Sequence, residues 1–153
     1  MNKTLITACL ICSATTVAAA DLQEMGEMSK EMVSRAITHY QEVGRTQAEK
    51  DFNHQTEEWY AEKYFLHMFA MNVDGTVWAD NVWPEFVGTD FNAAADFDGF
   101  QFGNDIISNT PQDGSIYQVQ LQFMNPESGD LTPSVGSCLR PDAQNILCSW
   151  ANG

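Results

Sequence analysis

Between Leu22 and Val43 the apolar residues Leu22, Met25, Met28, Met32, Val33, Ala36, Ile37, Tyr40 and Val43 recur at steps of three and four. That spacing is one stripe of a long helix, and Gly44 stands where a left-handed residue would end it. Beyond it the pattern changes to short apolar runs of strand type separated by Asp-Gly, Pro and Asn-Pro turn signals. Core packing is the reading of this Met-rich stripe, rather than a soft binding surface.

Thr46-Gln47-Ala48-Glu49 has the form of a capping box, which predicts a second short helix to about Asn53. Tyr64 to Val73 is aromatic and apolar, Asp74-Gly75 is a turn, and Thr76 to Ala79 resumes, which together read as a hairpin. Asp80 to Asp98 reads as loop, and Gly99 to Asn109 holds a short helix. Ile116 to Phe123 alternates polar and apolar residues, as a half-buried strand does. Ser134 to Arg140 and Ile146 to Trp150 make two closing strands. Short connections between successive strands imply an antiparallel sheet. The class is therefore α+β, a long N-terminal helix on five antiparallel strands, in one domain over residues 21–153.

Residues 1–20 read as a secretory signal peptide. Lys3 is the positive n-region, Leu5 to Val17 is apolar and uncharged, and Ala18-Ala19-Ala20 supplies the small residues at the cleavage site. The alternative is lipoprotein cleavage at Ile6-Thr7-Ala8-Cys9, which leaves too short an apolar region before the cysteine. A periplasmic or secreted bacterial location follows. The remaining cysteines, Cys138 and Cys148, are an even pair in an oxidising compartment, with no Cys-x-x-Cys and no nearby histidine. A structural disulfide across the last hairpin is the reading, rather than a metal or redox pair. The formal charge is −14, one unit more negative without Lys3. Such a surface repels nucleic-acid phosphate and anionic lipid, so nucleic-acid binding is not expected. The apolar run of the leader is too short and too rich in Thr and Ser for a membrane-spanning helix, so membrane insertion is not expected either.

The order of these signals resembles the single Cache domain, the PAS-like extracytoplasmic sensor module of bacterial chemoreceptors and kinases, in its stand-alone secreted form. The residues that carry the likeness are Phe52-Asn53, Tyr64-Phe65, Val73-Asp74-Gly75-Thr76-Val77, Trp83-Pro84-Glu85-Phe86-Val87-Gly88, Asp96-Phe97-Asp98-Gly99-Phe100-Gln101-Phe102, Tyr117, Asn125-Pro126 and Ser137-Cys138-Leu139-Arg140-Pro141. They span most of residues 22–150. Departures are informative. Ala79-Asp80 stands where many relatives have His-Pro. Val135 or a near neighbour stands where relatives carry a pocket lysine, so the cation that would pair a carboxylate ligand is missing. Cys138 stands in place of a packed tyrosine.

Nothing in the sequence points to catalysis. No nucleophile motif is present, and Glu57-Glu58 are adjacent on a polar stretch. His39, His54 and His67 are scattered, so no metal or other cofactor is expected. Asp96-x-Asp98-Gly99 lacks the final Glu of a calcium loop, and Asp98 reads instead as a helix cap. The resemblance implies a small-molecule pocket. Its expected lining is Trp59, Tyr64, Trp83 and Tyr117, with Tyr60 and Trp78 nearby, and aromatic walls with an acidic surplus suit a neutral or cationic solute. Two functions follow. The first is an extracytoplasmic ligand-binding sensor module that passes its signal to a membrane receptor or kinase partner. The alternative is a protein-interaction subunit of the same fold with a filled core.

Overall fold

The computed structural model describes residues 14–125 and 128–153. Its elements are α1 (Ala14–Val43), α2 (Arg45–Phe52), β1 (Tyr60–Ala61), β2 (Leu66–Asn72), β3 (Val77–Asp80), α3 (Phe102–Asn109), β4 (Tyr117–Met124), β5 (Leu131–Leu139) and β6 (Asn145–Asn152). The strands form one antiparallel sheet in the order β1-β2-β6-β5-β4, and β3 shares with β1 the outer edge of β2. Five strands stand where the sequence places them. The sixth, β1, is a two-residue strand in a stretch too polar to announce it.

α1 lies across β5 and β6. Its buried positions Met25, Met32, Val33 and Ala36 fall on the stripe read from the sequence, and together with Met68, Ala70, Leu139 and Leu147 they form the larger core. Each fully buried Met or Val contributes about 1.5–3 kcal/mol. Ser29 interrupts the stripe, and its buried hydroxyl donates to the Ser149 carbonyl at 2.9 Å. The expected junction at Ala20–Asp21 falls within α1. Residues 1–13, which hold Lys3 and Cys9, lie outside the described residues.

Three local expectations are corrected. α2 begins at Arg45 with Gly44 at its cap and no side-chain cap bond, so Thr46 is already helical and no capping box forms. Asp98 does not cap α3. Gln101 holds that position, while the neighbouring Asp96 accepts from the Asp98 and Phe100 N–H groups. Tyr64 and Phe65 are not in a strand. They occupy a 3₁₀ turn, with φ of 59° and 47°.

β2 is buried along nearly its whole length because both faces of the sheet are covered. Leu66, Met68 and Ala70 face α1, while His67, Phe69 and Met71 face the other way. On that second face Phe69 stands opposite Cys148, which stands opposite Cys138. The Cys138–Cys148 disulfide forms there, stapling β5 to β6.

Candidate functional site

The second face of the sheet is roofed by the segment between β3 and α3. Asn92 anchors this roof, its Nδ2 donating to the Asp74 carbonyl at 2.7 Å and to Asp90 Oδ1 at 2.8 Å. Gly103 lets α3 dock against it. A Cβ at that position would sit 1.8 Å from the Phe91 carbonyl oxygen, so any side chain would push the helix off the roof. Phe102, the next residue back, then meets Phe91 edge to face at 5.6 Å.

Between roof and sheet remains a cavity of about 370 Å³. Its floor is Phe69 and Trp150, and its sides include Trp83, Phe91, Phe102 and Phe123. The Trp150 ring lies flat in the floor because Gly136 opposes it across β5–β6. A Cβ on Gly136 would come within 2.3 Å of Trp150 Cζ3. Seated there, Trp150 packs against Phe102 at 5.6 Å and Phe123 at 6.4 Å.

Two buried ionisable side chains break this apolar lining. Asp80 closes β3 opposite Phe69 and is 4% exposed. Its Oδ1 accepts from the Val82 and Trp83 N–H groups at 2.9 and 2.7 Å, an arrangement that also turns Trp83 into the cavity wall. Among the described residues no Lys, Arg or His forms an ion pair with it. Burial pushes its carboxyl up to about 6, although the two N–H donors favour the charged form. His67 lies on the neighbouring strand, and its Nδ1 is 2.9 Å from the Phe65 carbonyl. A carbonyl can only accept, so Nδ1 carries the hydrogen and Nε2 is left with its lone pair. Burial holds this imidazole down at about 4, so it is neutral at pH 7. Asp90 and Thr89 complete the polar lining, which contains no lysine or arginine. Chemically, the cavity is an aromatic box with hydrogen-bond acceptors and no cation of its own. Among the described residues no group of three or more His, Cys, Asp or Glu side chains is close enough to hold a metal.

The sequence-predicted residues are not brought together. Trp83 lines the cavity. Trp59 is on the opposite face, 1% exposed, with its ring 4.9 Å from Phe52 and 5.2 Å from His39 beneath α1 and α2. Tyr64 turns to α1, where its hydroxyl donates to Glu24 at 2.8 Å. Tyr117 is on the cavity side of the sheet but donates to Asp105 of α3 and does not line the cavity. Val135, at the position linked with the missing lysine, is buried under α1, facing away from the cavity. Asp80, His67, Phe102, Phe123 and Trp150 were not anticipated as lining. The signals that could have found them are the i, i+2 pairing of His67 with Phe69 and the acid ending a buried strand at Asp80.

No protein-family model matches the sequence, and no curated protein matches it. Solved structures do. One, described as the structural basis for carboxylic acid recognition by a Cache chemosensory domain, is 16% identical, with a TM-score of 0.64 over 92% of this chain and 99% of that one. A methyl-accepting chemotaxis protein from Vibrio parahaemolyticus is 12% identical, with a TM-score of 0.69 over 90% of this chain and 95% of that one. A periplasmic sensor domain of a chemotaxis protein is 12% identical, with a TM-score of 0.57 over 95% and 99% of the two chains. Among the described residues no helix is long and apolar enough to cross a membrane. With a long helix on one face of the antiparallel sheet and a roofed cavity on the other, the fold of this chain is that of a single Cache domain, a likeness carried by architecture at low sequence identity.

Proposed function

We propose that this protein is an extracytoplasmic small-molecule-binding sensor module, and that its ligand occupies the cavity between the roof segment and the sheet. The observation that carries this reading is the cavity itself. At about 370 Å³ it falls at the small end of the ~300–1,000 Å³ range of ligand sites, with aromatic walls and a few polar groups. An open cavity favours ligand binding over a filled-core interaction subunit. The lining contains two aspartates and no lysine or arginine, which supports a neutral or cationic solute rather than an anion. Trp83 is the wall residue retained from the sequence-based set.

The signal-peptide reading completes the proposal. Cleavage between Ala20 and Asp21 delivers the domain to the periplasm or the exterior, and a membrane receptor or kinase partner takes up the signal. Mass spectrometry of the exported form reads the cleavage point directly, and an N-terminus at lipid-modified Cys9 overturns it. For ligand binding, the test is a thermal-shift screen of amines, amino acids, nucleobases and short-chain acids. A ligand at a hundred times its Kd adds about 2.7 kcal/mol of stability. A screen in which no compound raises the melting temperature counts against the reading.

A further inference from the structure

We propose that the cavity selects a small primary organic ammonium ion, with the Asp80 carboxylate as its counter-ion and the surrounding rings as its walls. The proposal rests on the ligand-binding reading and narrows it to a chemical class.

Asp80 carries the argument. A carboxylate that is 4% exposed and has no cationic partner among the described residues is an expensive group to bury. Two backbone N–H groups satisfy Oδ1, and no described group donates to Oδ2. The residue lines a cavity whose other walls are mostly aromatic carbon. A cation entering that cavity supplies the missing charge and meets the rings of Trp83, Phe102, Phe123 and Trp150 as it does so.

The hydrogen-bonding inventory narrows the class further. Besides Asp80, the cavity is lined by His67, whose Nδ1 is committed to the Phe65 carbonyl and whose Nε2 has no partner among the described residues. On β2 it sits two residues from Phe69, the residue that faces Asp80, so the two polar groups are diagonal neighbours on one face. Both offer acceptors. A primary ammonium has three N–H donors to answer them, whereas a quaternary ammonium has none. With no lysine or arginine in the lining, a ligand carboxylate finds no charged partner there. An amine without a carboxyl group is therefore preferred to an amino acid.

The test is isothermal titration of the wild-type protein and of Asp80→Asn with four probes of similar size: butylammonium, 1-butanol, butyrate and tetramethylammonium. The expected order in the wild type is butylammonium above tetramethylammonium and butanol, with butyrate weakest. Asp80→Asn keeps the side chain's shape and its Oδ1 acceptor. It is expected to weaken butylammonium at least tenfold and butanol, a single uncharged donor, by much less. Glu85→Gln, an exposed charge close by that does not line the cavity, is expected to change butylammonium affinity by less than about fivefold. The wild-type series tests the same point without any variant. Butyrate binding more tightly than butylammonium, or butylammonium indifferent to Asp80→Asn, overturns the ammonium assignment while leaving a ligand-binding cavity in place. Failure of all four probes to bind overturns the assignment and removes support from the cavity reading together.

Discussion

Asp80→Asn also has a predicted signature in stability, independent of any ligand. In the fold the Asp80 carboxyl sits at about 6, against 3.8 for the ordinary side chain, mainly because burial disfavours its charge. Between those two values the folded protein holds a proton that the unfolded chain has released. Stability therefore falls as pH rises through the window, and the whole cost is present above pH 6. A gap of roughly two pH units corresponds to about 3 kcal/mol at 1.36 kcal/mol per unit. With the group 4% exposed, solvent screening takes little from that figure. The neutral amide removes the cost. The variant should exceed the wild type by up to about 3 kcal/mol at pH 7, and the difference should shrink toward zero at pH 4. Urea unfolding followed by tryptophan fluorescence at half-unit steps from pH 4 to 7.5 measures both proteins, and only their difference is read, which cancels the carboxylates they share. A difference that stays constant across this range, or a variant less stable than the wild type at pH 7, refutes the reasoning.

His67 works in the opposite direction. Its imidazole is held at about 4 against an ordinary 6.5, so the penalty for protonating it grows as pH falls through that window; His67→Gln should gain on the wild type toward acid, by the same urea assay. Gly136→Ala places a methyl group 2.3 Å from Trp150 Cζ3, and the displaced ring should cost about 1–3 kcal/mol in thermal unfolding and reduce ligand affinity; a variant with unchanged melting point contradicts the packing described. Replacing Cys138 and Cys148 by serine opens a bridge with a sequence separation of 10, for a loss of about 2–3 kcal/mol in denaturant titration. Native protein with two alkylatable thiols contradicts the bridge itself.

What was legible in the sequence was what depends on local spacing. The α1 stripe was readable because Met25, Met32, Val33 and Ala36 recur at steps of three and four and are buried for that reason. The hairpin at Asp74-Gly75 was readable because the Thr76 N–H closes onto Asp74 Oδ1 at 2.9 Å, a bond made within the turn. The disulfide followed from an even pair of cysteines near a turn. The cavity was not legible, because its walls come from five separate segments, and only sheet register decides which side of a strand each residue occupies. Trp59 and Trp83 illustrate this. Both are tryptophans near turns, yet Asn81 donates to the Trp59 carbonyl at 2.6 Å on the α1 side, while the adjacent Asp80 holds Trp83 on the other. Tyr64 lies outside the sheet for a different reason. It continues an apolar run into β2, and nothing in that run announces a left-handed turn.

The four tryptophans allow the most direct test of the central claim. Trp83 and Trp150 line the cavity, whereas Trp59 and Trp78 belong to the core beneath α1. In a ¹⁵N-labelled sample each contributes one indole Nε1–H resonance, assignable by single substitution to phenylalanine. Titration with butylammonium, and in parallel with butanol, should move the Trp83 and Trp150 resonances in a saturable way and leave those of Trp59 and Trp78 in place. Saturable movement of Trp59 or Trp78 while Trp83 and Trp150 stay fixed, or no movement of any indole with either compound, contradicts a ligand site between the roof and the sheet.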